Sequence, residues 1–119
     1  MQANSAFAQL VGSVKDKVTP ISIGEFQQQD HWQLVDVRED SEWLQGHLPN
    51  AKHVSKGMIE CEIESRFPDK ASPVLLYCGA GPRSILAAYN LQLMGYTQVA
   101  WLEGGFKAWL QHQFPVVKD

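Results

Sequence analysis

The chain is short of several things, and each shortage removes a class of function. Its 119 residues carry only two cysteines, Cys61 and Cys78. Two thiols in such different settings make a disulfide framework a poor reading, and a reducing, cytoplasmic compartment is expected. The ten Lys and Arg side chains are scattered and outnumbered by thirteen Asp and Glu, giving a formal net charge of −3. No basic stripe exists to follow a phosphate backbone, so nucleic acid is not an expected partner. No apolar run approaches the roughly 18 residues a spanning helix needs, and Met1-Gln2-Ala3-Asn4-Ser5 lacks a basic leader region, so no membrane association is expected. Repeats, low-complexity tracts and an interdomain linker are also missing.

What remains is an ordinary globular composition, 45% hydrophobic and 19% charged, on a chain long enough for one compact core. Phe7, Leu10, Val11, Val14 and Val18 recur at helical spacing after Asn4 or Ser5 as cap, which predicts an opening packing helix over residues 1–18 ahead of a single domain over 19–119. Ser22 caps a short helix carrying Ile23 and Phe26. The run Trp32-Gln33-Leu34-Val35-Asp36-Val37 reads as a buried strand. Residues 39–45 form a short helix ended by a left-handed Gly46. A weaker strand at 51–54 and a helix through Met58, Ile59, Ile63 and Phe67 follow. The strand at 74–77 leads to a strong helix from Ser84 that Gly95 stops, and a strand at 99–102 precedes a Gly104-Gly105 loop and a last helix at 106–110. Strands alternating with helices predict an α/β fold with a mostly parallel sheet covered on both faces.

The most informative stretch is Leu75-Leu76-Tyr77-Cys78-Gly79-Ala80-Gly81-Pro82-Arg83-Ser84. It sets a cysteine between a buried strand and a helix start, where in parallel sheets ligands bind. The first amides of a helix lack intrahelical acceptors and form an anion cradle, whose partial positive charge, with Arg83 nearby, favours thiolate over thiol. Cys78 is therefore the candidate nucleophile. Gly79 and Gly81 let the backbone curl in. Arg83 can grip an oxyanion, a role placed ahead of a salt bridge that only holds the loop, and Ser84 is expected to cap the helix before it serves catalysis. Pro82 brings no N–H to the cradle but starts helices well. This reading needs the amides turned toward the sulfur; a Cys78 buried away from solvent with those amides turned outward would end it.

These residues resemble the single-domain rhodanese family of sulfurtransferases. Leu34-Val35-Asp36-Val37-Arg38 with Glu42-Trp43, Gly46-His47-Leu48 and Ala51 is similar to the family's amino-terminal signature. The Cys78–Ser84 loop resembles its active-site loop, and Leu102-Glu103-Gly104-Gly105-Phe106 with Trp109 its carboxyl-terminal signature. The resemblance spans about Ile21 to Pro115. It implies a rhodanese-like five-stranded mostly parallel sheet with flanking helices and a persulfide on Cys78. Gly79, Ala80, Gly81, Arg83 and Ser84 would bind the substrate, and no cofactor or metal would be required. The implied partners are a small anionic sulfur donor, thiosulfate foremost, and cyanide, a thiol or an acceptor protein. A monomer is expected.

Three alternatives stand beside it. A non-catalytic carrier or binding module would keep the fold and loop without turnover. Cysteine phosphatases and arsenate reductases on this fold have a loop one residue longer between cysteine and arginine. Mercaptopyruvate sulfurtransferases share the Cys-Gly-x-Gly opening but carry a small hydroxyl residue where Arg83 stands. Elsewhere, Asp36, Arg38 and Glu42 are expected to tie the strand end together rather than to do acid–base work. His47 and His53 do not have zinc-site spacing. Cys61, among Glu60, Glu62 and Glu64, is expected to be idle, and Trp32, Trp43, Trp101 and Trp109 to fill the core.

Overall fold

A computed structural model describes residues 5–118. The elements run α1 (Ala6–Lys15), β1 (Thr19–Ile21), α2 (Ile23–Gln27), β2 (Gln33–Asp36), α3 (Asp40–Gln45), β3 (Lys52–His53), α4 (Ile59–Arg66), β4 (Val74–Tyr77), α5 (Pro82–Leu93), β5 (Val99–Leu102) and α6 (Gly105–Gln111). Five strands form one sheet in the order β1-β5-β4-β2-β3, every pairing parallel. The strand β1 escaped the sequence reading because three residues, one of them proline, give no periodicity; β5 on one side supplies its pairing.

The central strand β4 is buried at all four positions. An uninterrupted Val-Leu-Leu-Tyr run suits a strand covered on both faces, since its side chains alternate into two cores. Val74 and Leu76 join Val35, Val99 and Trp101 under α1, α4 and α5. Leu75 and Tyr77 join Leu34, Ala100 and Leu102 under α2 and α6, where Trp109 completes the layer. Local signals hold the helix ends. Ser22 and Glu25 form a reciprocal capping box on α2, and Ser5 Oγ accepts from Ala8 N–H to start α1. Asn4, the other cap considered, lies outside the described residues.

Several expectations need correction. In α1 Val11 and Val14 are buried, with Val18 just beyond, whereas Phe7 and Leu10 of the same pattern stay exposed, because α5 covers only part of that face. Met58 is exposed before α4. Gly46 ends α3 at φ 142 and ψ 151, outside the left-handed helical region. It bends the chain so that His47 pairs with Val117.

The site follows from the strand order. After β2 the chain moves to the β3 edge, and after β4 it moves the other way to β5, so the connections diverge between β2 and β4. A divergence of that kind opens a crevice at the carboxyl ends of the strands. The segments entering it are the one after Asp36 and the one after Tyr77.

Candidate active site

Cys78 directly follows β4, and its loop curls until the Gly81 amide donates to Sγ at 3.1 Å. The carbonyls of the same turn face the other way. Phe106 N–H donates to the Cys78 carbonyl and Lys107 N–H to that of Gly79, both at 2.9 Å. The free amides at the start of α6 therefore fix the loop's carbonyls on the far side from the sulfur. Cys78 itself is only 1% exposed. Of the two conditions that would have ended the nucleophile reading, burial is met; the outward turn of the amides is not, since Gly81 N–H points in.

Two glycines make this geometry possible. Gly81 sits at φ +146, and a Cβ there would come 3.0 Å from Cζ3 of Trp101, so the ring supports the loop from beneath. Gly105 lies against the carbonyls of Cys78 and Gly79, and a Cβ would meet the first and stand 3.1 Å from the second. Backbone atoms cannot step aside as a flexible side chain can. Gly105→Ala is expected to displace the loop and lower Cys78-dependent activity by roughly ten- to a hundredfold, the scale of loss from an ångström of misplacement. Turnover measured alongside a thermal melt checks this, with the melt moving far less than turnover.

Ser84 is the third residue of α5, not its cap. The helix begins at Pro82, whose missing N–H costs nothing at that position. Ser84 is fully buried; its Oγ donates to the Gly81 carbonyl at 2.8 Å and lies 3.7 Å from Cys78 Sγ. It thus holds the peptide carbonyl of the residue whose amide faces the sulfur. Gly79 is half-buried, and Ala80 is exposed at the rim.

Arg83 is held by Glu42. Nη1 donates to Oε1 at 2.7 Å and Nη2 to Oε2 at 3.1 Å, a two-bond fork between α5 and α3. The salt bridge that the sequence reading ranked second is present, and with it a partner that reading assigned elsewhere. The Glu42 carboxyl is pulled below its usual range chiefly by the Arg83 hydrogen bond. Arg83 is pushed up chiefly by Glu42, with a contribution from Cys78. The fork's lower edge lies over the loop, Nη2 standing 3.1 Å from where a Gly79 Cβ would be.

Asp36 and Arg38 behave as expected of a structural pair. Arg38 donates to Asp36 through its backbone N–H at 2.9 Å, through Nε at 3.1 Å and through Nη2 at 2.8 Å, and Nη2 also reaches the Gly46 carbonyl at 2.7 Å. Burial works against the Arg38 charge, but Asp36 more than offsets it and the guanidinium's pKa is raised. The guanidinium also packs on the Phe106 ring, 4.1 Å from its centroid. Since Phe106 N–H binds the Cys78 carbonyl, the end of β2 supports the sulfur loop through α6. The Tyr77 hydroxyl accepts from Leu48 N–H at 3.1 Å and is pushed well above the usual phenol range by burial.

The remaining candidates settle elsewhere. Trp101 and Trp109 are core residues, but Trp32 and Trp43 are only half-buried. Trp43 stacks between His47, at 3.4 Å, and His53, at 4.9 Å, which gives both imidazoles a packing role. Among the described residues no cluster of three or more His, Cys, Asp or Glu is placed to hold a metal ion, and none forms a helix long and apolar enough to cross a membrane. Cys61 is exposed, its thiol donating to the Met58 carbonyl at 3.2 Å. The supports from Trp101, Gly105 and Glu42 were missed from sequence as parts of the loop. Only the Gly104-Gly105 pair left a signal, a double glycine before a helix.

A buried sulfur thus lies at the carboxyl edge of a parallel sheet, faced by a main-chain amide and overlooked by a guanidinium, in an α/β fold. The model of the Rhodanese-like domain matches residues 20–112, and the chain belongs to that family. It is 38% identical over 84 residues to a sulfurtransferase of Allochromatium vinosum, covering 71% of this chain and 77% of that one. Thiosulfate sulfurtransferase GlpE of Coxiella burnetii is 37% identical over 79 residues, covering 66% and 72%. A structure from Rhodopseudomonas palustris, described as a protein of unknown function and possible tyrosine phosphatase, superposes with a TM-score of 0.85 over 98% of both chains. At 24% identity that likeness shows the fold alone. The relatives support sulfur transfer as the activity at family level.

Proposed function

We propose that this protein transfers a sulfane sulfur from thiosulfate, or a related anionic donor, to cyanide or a thiol through a persulfide on Cys78. The observation that carries this reading is the Gly81 amide directed at Cys78 Sγ at 3.1 Å while the carbonyls of Cys78 and Gly79 are tied away. The Cys78 thiolate attacks the outer sulfur of thiosulfate. Its S–S bond breaks, the electron pair leaves on sulfite, and a new S–S bond joins the transferred sulfur to Sγ. Cyanide or a thiolate then takes the outer sulfur, releasing thiocyanate or a new persulfide and restoring the thiolate. The inward Gly81 amide stabilises thiolate and persulfide without reorganising. Gly79, Ala80 and Gly81 line the donor's approach, Arg83 binds its oxyanion end, and Ser84 keeps the Gly81 peptide in place. The protein needs no cofactor, works in the cytoplasm and acts as a monomer.

Incubation with thiosulfate should add one sulfur to the intact mass, and cyanide should remove it with formation of thiocyanate. Loading that no acceptor discharges would identify a carrier module instead. The absence of loading from any donor, together with hydrolysis of an aryl phosphate, would overturn the proposal in favour of a phosphatase.

A further inference from the structure

The Arg83 fork is already filled. Glu42 occupies both of its bonds with the geometry a bound oxyanion would use, at 2.7 and 3.1 Å. The two side chains keep 32% and 37% of their surface exposed, so this is an open, exchangeable pair rather than a buried brace. The same guanidinium lies over the Gly79 backbone at the rim of the sulfur loop. A donor that takes the same Nη1–Nη2 pair of N–H groups must therefore displace the carboxylate, and it approaches past a fixed negative charge. Glu42 Oε1 also accepts the Glu39 N–H at 3.1 Å as part of the α3 cap, so the carboxylate is anchored on its own helix and does not follow Arg83.

We infer that Glu42 is a specificity-determining residue, occupying the Arg83 fork in the donor-free protein so that an anionic donor binds by exchange with its carboxylate. The inference rests on the anionic-donor reading of the Cys78 loop and deepens it. It makes the site selective for donors whose charge and paired oxygens can outcompete a carboxylate. Weakly charged thiol reagents, which do not need Arg83, are indifferent to the pair.

The test reads Cys78 without any sulfur transfer. Rates of alkylation by iodoacetate, an anion, and by neutral iodoacetamide are measured on the full chain, and their ratio cancels changes in thiolate fraction. Glu42→Gln keeps an oxygen for the Glu39 amide and is expected to raise the ratio about fivefold, the scale of one net hydrogen bond that the reagent's carboxylate gains from the freed guanidinium. The KM for thiosulfate should fall with it, by more than kcat changes. With Arg83 replaced by Gln, the same Glu42→Gln change should raise the ratio about twofold or less, because the coupling runs through the fork. Glu42→Asp keeps the charge but is one methylene short. It should raise the ratio in the same direction by a smaller factor, which keeps the inference testable if the Gln form fails to fold. Trp43 fluorescence reports whether α3 has kept its place. A ratio that stays level or falls in both Glu42 variants, or rises equally with and without Arg83, overturns the inference. Loss of sulfur loading with the predicted alkylation pattern intact would instead count against the sulfurtransferase reading.

Discussion

Cys78→Ala is expected to take up no sulfur from thiosulfate, with turnover at background, while the protein stays folded. The reacting atom is removed, and nothing within reach replaces it: Ser84 Oγ is 3.7 Å from Sγ and engaged with the Gly81 carbonyl, and Cys61 is a separate, exposed thiol on α4. The stability cost should be about 1–3 kcal/mol, since the buried Gly81 N–H loses its acceptor while the loop's carbonyls remain tied to α6. Intact mass before and after thiosulfate, beside a urea titration, checks both halves. Residual loading in the variant would mean that another thiol is the acceptor.

Asp36→Ala is expected to be the most destabilising single change named here, by about 3–5 kcal/mol, because removing one partner of a buried ion pair strands the other's charge. Asp36 is completely buried and Arg38 nearly so. Without the carboxylate, Arg38 keeps the Gly46 carbonyl and the face of Phe106 but has no counter-ion of comparable proximity. Asp36→Asn retains an acceptor and should lose less. The midpoint of urea unfolding measures the difference, and a midpoint near wild type for the alanine form would refute the structural role. Activity should fall with stability in both variants, since Arg38 reaches the loop through Phe106 and the Cys78 carbonyl.

The nucleophile was legible because its context is local. A buried strand, a cysteine, glycines and a helix start lie within ten consecutive residues, and each carries its own physical signal. Strand β4, strand β5 and the apolar spacing of α5 from Ser84 onward were legible for the same reason, as was the capping role of Ser22. Errors collected where the deciding partner is distant in sequence. Arg83 meets Glu42 forty-one residues away, so its neighbours could not reveal that its fork is taken. Ser84 looked like a cap because it opens the apolar spacing of α5, but Gly81 and Pro82 carry the helix start one turn earlier. Trp43 was read as core because tryptophan usually is, yet a rim position between two imidazoles satisfies it equally well.

By itself the sequence determined the alternation of strands and helices, the central buried strand and the cysteine that follows it, since these depend on side-chain periodicity and on backbone preferences over a few residues. Only the tertiary structure decided which way the loop's peptides face, what supports them and what Arg83 holds. Those depend on α6 meeting the Cys78 carbonyl, on Trp101 lying under Gly81 and on α3 reaching α5. Such contacts form when a parallel sheet brings distant segments to one edge, and no local pattern encodes them.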